Sequence, residues 1–323
     1  MVMLHTNISS LPIRFKRTGI QLLLSFCMLI ACCNTLTAQQ EPMYSQYMFN
    51  MLHINPAYAG NLASNNVTLV YRKQWTGIDN APATGTLSWD NRQENSNVGY
   101  GLQVYNDQLG IEKTSGFQAF YSYRLKFSES NLSLGLSGGV LNYRAAYSQA
   151  KVIQGNDALF QEDVNGVLPT AGIGALYSAE KFYVGFSMPA LFSTKINIDK
   201  TVVTRSASNH MFLTGGYIFD ASEVLKLKPS IMVKAVKGAP LAYDLNLNAW
   251  IQNVVGLGVS YRTGDAFVGM FELQISPQIR LGYAYDYTIS NLKSFNVGGS
   301  HELMLRYEFG NSKDKSILSP RYY

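Results

Sequence analysis

Apolar and polar residues alternate along most of this chain with a period of two, rather than the 3.6-residue period of a helix. In a clear example near the C-terminus, Leu303, Leu305 and Tyr307 alternate with Met304 and Arg306. The stretches GFQAFYSYRLKF, LAYDLNLNAWIQ and IRLGYAYD show the same alternation. Each such stretch is predicted to be a β-strand with one apolar face and one polar face.

The number and length of these segments predict the class of fold. A membrane-spanning strand needs about 9–11 residues, and single-chain bacterial barrels have an even number of strands. The pattern therefore predicts an all-β fold, a transmembrane antiparallel β-barrel of about 14 strands. The predicted strands are residues 67–75, 84–92, 97–107, 113–127, 131–144, 168–179, 181–189, 209–219, 225–236, 241–252, 254–262, 266–275, 278–287 and 300–309.

The connections between the predicted strands differ in length on the two sides. Those after even-numbered strands are short, whereas the long ones, 145–167, 190–208 and 288–299, all follow odd-numbered strands. Short periplasmic turns and long outer loops are typical of outer-membrane barrels, so the long connections are predicted to face outside. A soluble β-sandwich is the competing interpretation, but its solvent-facing sides would carry more Lys and Glu than these polar faces do.

The composition agrees with a protein whose surface is not all in water. Only 15% of the residues are charged, against about 25% in a soluble domain, and there are 21 tyrosines. Many of the aromatic residues are predicted to form girdles at the membrane interfaces rather than a carbohydrate site. Without the three basic residues of the leader, 23 basic residues face 21 acidic ones, which excludes an electrostatic footprint for nucleic acid.

Residues 1–38 are predicted to be a Sec-type signal peptide. A basic stretch ending at Arg17 precedes the apolar run 20–31, and Ala38 ends a suitable cleavage site. The alternative is lipidation of Cys32, because LIAC resembles a bacterial lipobox. Cleavage after Ala38 would remove all three cysteines, so no disulfide or thiol chemistry is expected of the mature chain.

Residues 39–66 are predicted to be a plug segment ahead of the barrel at 67–309. Its apolar residues recur at helical spacing, and Asn55 before Pro56 is disfavoured in a helix. A short amphipathic helix that ends there is therefore expected, within a plug from Pro42 to about Ala59. A helix this short needs a surface to pack on, so packing in the lumen or its periplasmic mouth is favoured over a free arm. Its role is either a plug that closes the pore or a structural clasp that only packs under the barrel. The candidate plug residues are Tyr44, Tyr47, Met48, Phe49, Met51, Leu52, Asn55 and Pro56.

Charged residues on the polar faces are predicted to pair inside the lumen, because unpaired charges there would be costly. The three histidines after the leader are far apart in sequence, and Gly-x-Ser-x-Gly is absent, so neither an enzyme, a metal site nor a cofactor is predicted. The alternative for the pair His301 and Glu302 is a site that contacts a partner. The candidate lumen charge network is Arg262, Glu272, Arg280, Asp286, His301, Glu302, Arg306 and Glu308.

Three stretches resemble the PorP/SprF-like outer-membrane proteins of Bacteroidetes. They are YSQYMFNMLHINPAYAGN at 44–61, GVSYRTGDAFVGMFELQISPQIRLGYAYDYTISNL at 258–292 and GGSHELMLRYEF at 298–309. Met51 departs from that pattern, where a Pro or other residue is expected in many relatives. The resemblance implies a FadL-like barrel of 14 strands in the outer membrane.

The resemblance also implies a role in the type IX secretion system, which in that family includes gliding motility. The implied function is to bind a large secreted, adhesin-like surface protein, or to assist its export or surface attachment. The implied partners are outer-membrane lipids, that cargo, secretion components and a peptidoglycan-binding periplasmic lipoprotein. Two alternatives remain, a FadL-like or porin-like passive transporter of small solutes and a barrel that links the outer membrane to peptidoglycan. The polar tail 310–323 is expected to be either a loose extension or a docking peptide.

Overall fold

The computed structural model describes residues 43–62, 65–92, 96–149, 163–192, 196–198, 201–203, 209–237, 239–291 and 298–309. The predicted signal peptide, the alternative at Cys32 and the tail 310–323 lie outside these residues. Within the described ranges, no helix is long and apolar enough to cross a membrane.

Within the described residues, fourteen antiparallel strands form one closed barrel, as the alternation predicts, and the two-residue strand Phe219–Asp220 pairs with Leu227 and Lys226 at its edge. Their order around the barrel follows their order along the chain. The strands are β1 Asn65–Lys73, β2 Ala83–Arg92, β3 Val98–Leu109, β4 Glu112–Lys126, β5 Ser130–Ala145, β6 Val164–Ala179, β7 Phe182–Met188, β8 His210–Tyr217, β9 Leu225–Val236, β10 Ala242–Ile251, β11 Val255–Arg262, β12 Ala266–Gln274, β13 Ile279–Thr288 and β14 Ser300–Phe309.

Pairing of the first and last strands closes the barrel. The β1–β14 register runs from Asn65 opposite Phe309 to Lys73 opposite His301. Strand β7, with only 7 residues, pairs with β6 on one side and β8 on the other, and β8 continues the sheet to β9. Closure satisfies backbone groups that would otherwise be exposed to hydrocarbon.

The alternation of residue types becomes an alternation of burial. On β14, Leu303 and Leu305 are exposed on the outer surface, whereas Glu302, Met304 and Arg306 are buried. The large exposed apolar side chains face outward because hydrocarbon, not water, surrounds the barrel. The polar set consequently lines the lumen.

The two ends of the barrel differ in the length of their connections. The three longest, 146–163, 189–209 and 289–299, all follow odd-numbered strands. That rim is the long-connection end, and the opposite rim is the short-connection end. Two strands of three residues, Ile196–Ile198 and Thr201–Val203, pair within the second of these connections.

Candidate functional site

The chain ahead of β1 folds inside the barrel as three 3-10 turns, Tyr47–Phe49, Met51–His53 and Pro56–Tyr58. Residues 43–62 are named the lumen segment. Their side chains pack against the inner face of the barrel, including Met232 and Trp250. The candidate plug residues are all buried: Tyr44, Tyr47, Met48, Phe49, Met51, Leu52, Asn55 and Pro56.

The short helix predicted ahead of Asn55 is not found in the described part of this segment, which forms separate 3-10 turns. The chain leaves helical geometry at Asn50, with φ −135° and ψ 54°, and is extended at Asn55, with φ −138° and ψ 111°. The three turns are therefore separate. A helix would pair its backbone groups internally, but here the barrel wall binds several of them. Because the segment is enclosed on all sides, it has no water-facing side that an amphipathic helix would need.

The lumen segment passes from one end of the barrel to the other. Near the long-connection end, Ser45 contacts Asp286, two residues before the end of β13. Near the short-connection end, the backbone N–H of Gly60 donates to Asp90, two residues before the end of β2. The chain then enters β1 at the same rim.

Five charged side chains meet near the long-connection end and form the upper cluster: Arg72, Asp244, Arg262, Asp286 and Glu302. Arg72 lies 2.7 Å from Asp286 and 3.2 Å from Glu302, measured between nitrogen and oxygen atoms. Arg262 lies 3.2 Å from Asp244 and 3.3 Å from Asp286. Two buried guanidinium groups therefore pair with three buried carboxylates.

Backbone groups of the lumen segment complete the upper cluster. The N–H of Ser45 donates to Glu302 Oε2 over 2.7 Å, and the N–H of Gln46 donates to Oε1 over 2.8 Å. The Ser45 hydroxyl donates to Asp286 and accepts from Arg72, each over 2.7 Å. Because a buried carboxylate is costly unless its lone pairs are satisfied, these contacts link the ionic cluster to the segment.

A second group of charges, the lower cluster, lies toward the short-connection end. Arg280 forms an ion pair with Glu272, and Arg306 donates to the backbone carbonyl of Phe49. Arg306 has Glu308 and Asp90 among its charged neighbours. The lumen segment is thus held by charged side chains near both ends of the barrel.

The predicted charge network is divided between these two clusters, with one exception. Arg262, Asp286 and Glu302 belong to the upper cluster. The prediction that His301 belongs to the lumen network with Glu302 is wrong, because successive residues of a strand point to opposite faces. Its Nδ1 lies 2.7 Å from the Tyr283 hydroxyl in an exposed position. The members of the lower cluster that the sequence predicted are Glu272, Arg280, Arg306 and Glu308.

Sequence reasoning missed Ser45, Arg72, Asp90 and Asp244. Arg72 is fully buried and contacts two carboxylates. The signal was present, because Arg72 occupies an inward position in the alternation of β1. Ser45 carries no such signal, since its part of the chain does not alternate.

Asn55 connects the lumen segment to the β6–β7 ladder. Its Oδ1 accepts from the N–H of Ala57 over 2.9 Å and caps the third turn. Its Nδ2 donates to the carbonyls of Ala175 over 3.1 Å and Phe186 over 3.3 Å. These two carbonyls belong to residues paired across β6 and β7, so one side chain contacts both strands.

Close backbone approach also fixes this part of the segment. A Cβ added at Gly135 on β5 would overlap the backbone nitrogen of Ala57. At Gly99 on β3, an added Cβ would overlap the carbonyl of Ala59. Glycine is needed at both positions because the wall and the segment meet through their backbones.

The interior of the barrel binds the backbone of its own lumen segment. Among the described residues, no group of three or more His, Cys, Asp and Glu is placed to hold a metal ion. A cavity of 40 Å³ beside the segment is lined by Asn50, Asp90 and Arg306 among others, and it has room for a few water molecules. Charged side chains of the barrel wall contact backbone groups of the lumen segment.

Comparison of the sequence with known protein families identifies one match. The sequence model of a family described as type IX secretion system membrane protein PorP/SprF matches residues 36–307. No curated protein matches the chain.

Several solved structures are similar to this barrel. The outer-membrane protein Omp33 of Acinetobacter baumannii is 10% identical, with a TM-score of 0.46, over 77% of this chain and 100% of that one. The toluene transporter TbuX of Ralstonia pickettii is 8% identical, with a TM-score of 0.48, over 80% and 93%. The monoaromatic hydrocarbon channel CymD is 12% identical, with a TM-score of 0.47, over 85% and 95%.

Proposed function

Because the chain belongs to the PorP/SprF family of type IX secretion system membrane proteins, we propose that it is an accessory barrel of that system in the outer membrane. Its proposed task is to bind a large secreted, adhesin-like protein and to assist its export or surface attachment. Family and fold are those of a secretion membrane protein, and the proposal assigns it no enzymatic role.

The observation that carries this proposal is the lumen segment. It runs through the barrel and is held by the upper cluster, the lower cluster and Asn55. We propose that it acts as a plug. A barrel whose interior is occupied by its own chain is suited to binding and assembly, whereas a passive transporter needs a path for its solute.

The proposed partners meet the barrel at its two rims. At the long-connection end, the loops after β5 and β7 are proposed to contact the exported protein outside the cell, because loops on a rigid scaffold are common binding surfaces. At the opposite rim, secretion components and a peptidoglycan-binding periplasmic lipoprotein are proposed to contact the short turns and the tail 310–323.

Affinity purification from native outer membranes tests the proposed binding role. The tagged full-length protein is purified in mild detergent beside an equally abundant, unrelated barrel from the same membranes, and co-purified proteins are identified by mass spectrometry. Enrichment of secretion components or of a very large secreted protein only with this barrel supports the proposal. Equal recovery with both barrels contradicts it.

Reconstitution in liposomes tests the transporter alternative. The wild-type protein and a variant lacking residues 43–60 are compared for conductance and for uptake of a small apolar solute. The plug proposal expects a closed wild-type barrel and an open deletion variant, with folding checked for both by the heat-dependent gel shift of barrels. Conductance or uptake by the wild type equal to that of the variant contradicts the plug.

A further inference from the structure

Strands β4, β5 and β6 extend farther at the long-connection end than most of their neighbours. They contain 15, 16 and 16 residues, whereas β7 has 7 and β14 has 10. The β4–β5 ladder continues to the last pair, Glu112 opposite Ala145. This wall therefore reaches beyond the apolar belt that the shorter strands define.

On β4 and β5, the outer face of the wall changes from apolar to basic toward the rim, whereas on β6 the apolar Val167 lies opposite Asn142. Phe117 and Val140 are exposed and paired across β4 and β5, and they are the last large apolar pair. The next outward pair is Ser115 and Asn142, and the pair after that is Lys113 and Arg144. Strand geometry places this last pair about 13 Å along the strand from Phe117, or about 10 Å higher once the strand tilt is included.

Lys113 and Arg144 are both exposed and lie directly opposite each other. Like charges directly opposite each other repel, so this pair does not stabilise the sheet. No ion pair to either residue is found among the described residues, and the outward positions of β3 to β6 include no Asp or Glu. The carboxylate of Asp163, just before β6, accepts from the N–H and the hydroxyl of Ser148.

Depth and charge together identify the ligand class. The polar headgroup layer extends roughly 5–8 Å beyond the hydrocarbon on each side, within reach of long basic side chains at this height. Phosphate groups are the anions of that layer, and Arg and Lys are the side chains that bind them. We propose that Lys113 and Arg144 form a site for the phosphorylated headgroup of an outer-leaflet glycolipid. Asn106 and Ser115, joined by a 2.8 Å hydrogen bond, supply neutral polar groups beside it.

The site is tested with lipid A as the probe, in its phosphorylated form and in a dephosphorylated form. Binding to the purified full-length protein is measured by native mass spectrometry for the wild type and for the double variant Lys113→Gln/Arg144→Gln. Each basic side chain at a membrane surface strengthens binding to anionic lipid. Losing both cations should therefore weaken binding of phosphorylated lipid A about thirtyfold.

Two controls make the result specific. Lys181→Gln removes an exposed cation at the short-connection end, where Lys181 lies 3.0 Å from Asp220, and it should bind like the wild type. The exchange Lys113→Arg/Arg144→Lys keeps both charges and should retain binding. Folding of every variant is verified by the heat-dependent gel shift.

Three results would overturn the site. They are equal binding of phosphorylated lipid A by the wild type and the folded double variant, equal binding of the two lipid forms by the wild type, and an equal loss in Lys181→Gln.

Discussion

Arg72 on β1 donates to Asp286 on β13 over 2.7 Å, and each side chain is only 2% exposed. The two residues are 214 positions apart in sequence and lie on strands separated by β14. The Ser45 hydroxyl contacts both of them. Strands on both sides of the closing strand β14 therefore contact the same residue of the lumen segment, Ser45.

Removing the cation from this pair should destabilise the whole barrel. Arg72→Met is expected to cost about 3–5 kcal/mol, because Glu302 would lose its paired cation and Asp286 would keep only Arg262. Urea unfolding in lipid vesicles measures the loss. Lys181→Met, in an exposed ion pair, is the control and should leave the unfolding midpoint unchanged.

The double variant Arg72→Met/Asp286→Asn tests whether the two residues act as a pair. It should be more stable than Arg72→Met alone, because Asp286→Asn removes a buried negative charge that has lost its Arg72 partner. A double variant with the summed loss of both single variants would show that the residues are independent.

Glu302→Gln should loosen the start of the lumen segment. The change weakens the acceptor for the N–H groups of Ser45 and Gln46 and removes the charge facing Arg72. Hydrogen exchange in residues 44–49 is expected to rise roughly tenfold or more, while the core of β4 stays protected. Glu129→Gln, an exposed change in a short turn, serves as the control. Unchanged exchange in residues 44–49 would show that Glu302 does not hold the segment.

Gly135→Ala should displace the third turn of the lumen segment. The new Cβ would overlap the backbone at Ala57, and neither backbone can move freely within the closed barrel. A loss of about 1–3 kcal/mol is expected from this overpacking, measured by unfolding in lipid vesicles. Gly138→Ala on the same strand is the matched control, because an added Cβ there meets nothing within 4 Å. Equal effects of the two substitutions would contradict the close approach.

Asn55→Ala should release the cap of the third turn and its contacts with β6 and β7. The Ala57 N–H loses its acceptor, so its hydrogen exchange should rise roughly fivefold for a cap worth about 1 kcal/mol. Asn165→Ala, an exposed position on β6, should leave that exchange rate unchanged. Protection of Ala57 in Asn55→Ala equal to the wild type would mean that burial alone protects this turn.

The sequence predicted the strands far better than it predicted the lumen. Alternation requires only neighbouring residues, so it predicted fourteen strands and the inward position of Glu302. It also indicates that His301 points away from Glu302, although charge chemistry had grouped the two residues. For His301, strand alternation predicts the face to which the side chain points better than its charge chemistry does.

The sequence by itself determined the barrel, because hydrocarbon outside and polar groups inside impose a period of two on every strand. Only the tertiary structure decided which charges meet, since Arg72, Asp286 and Glu302 come from three strands that closure brings together. It also decided the conformation of the lumen segment. A chain enclosed on all sides has no water-facing side, so its sequence shows no regular alternation of polar and apolar residues. Its conformation depends instead on the polar groups of the surrounding barrel wall.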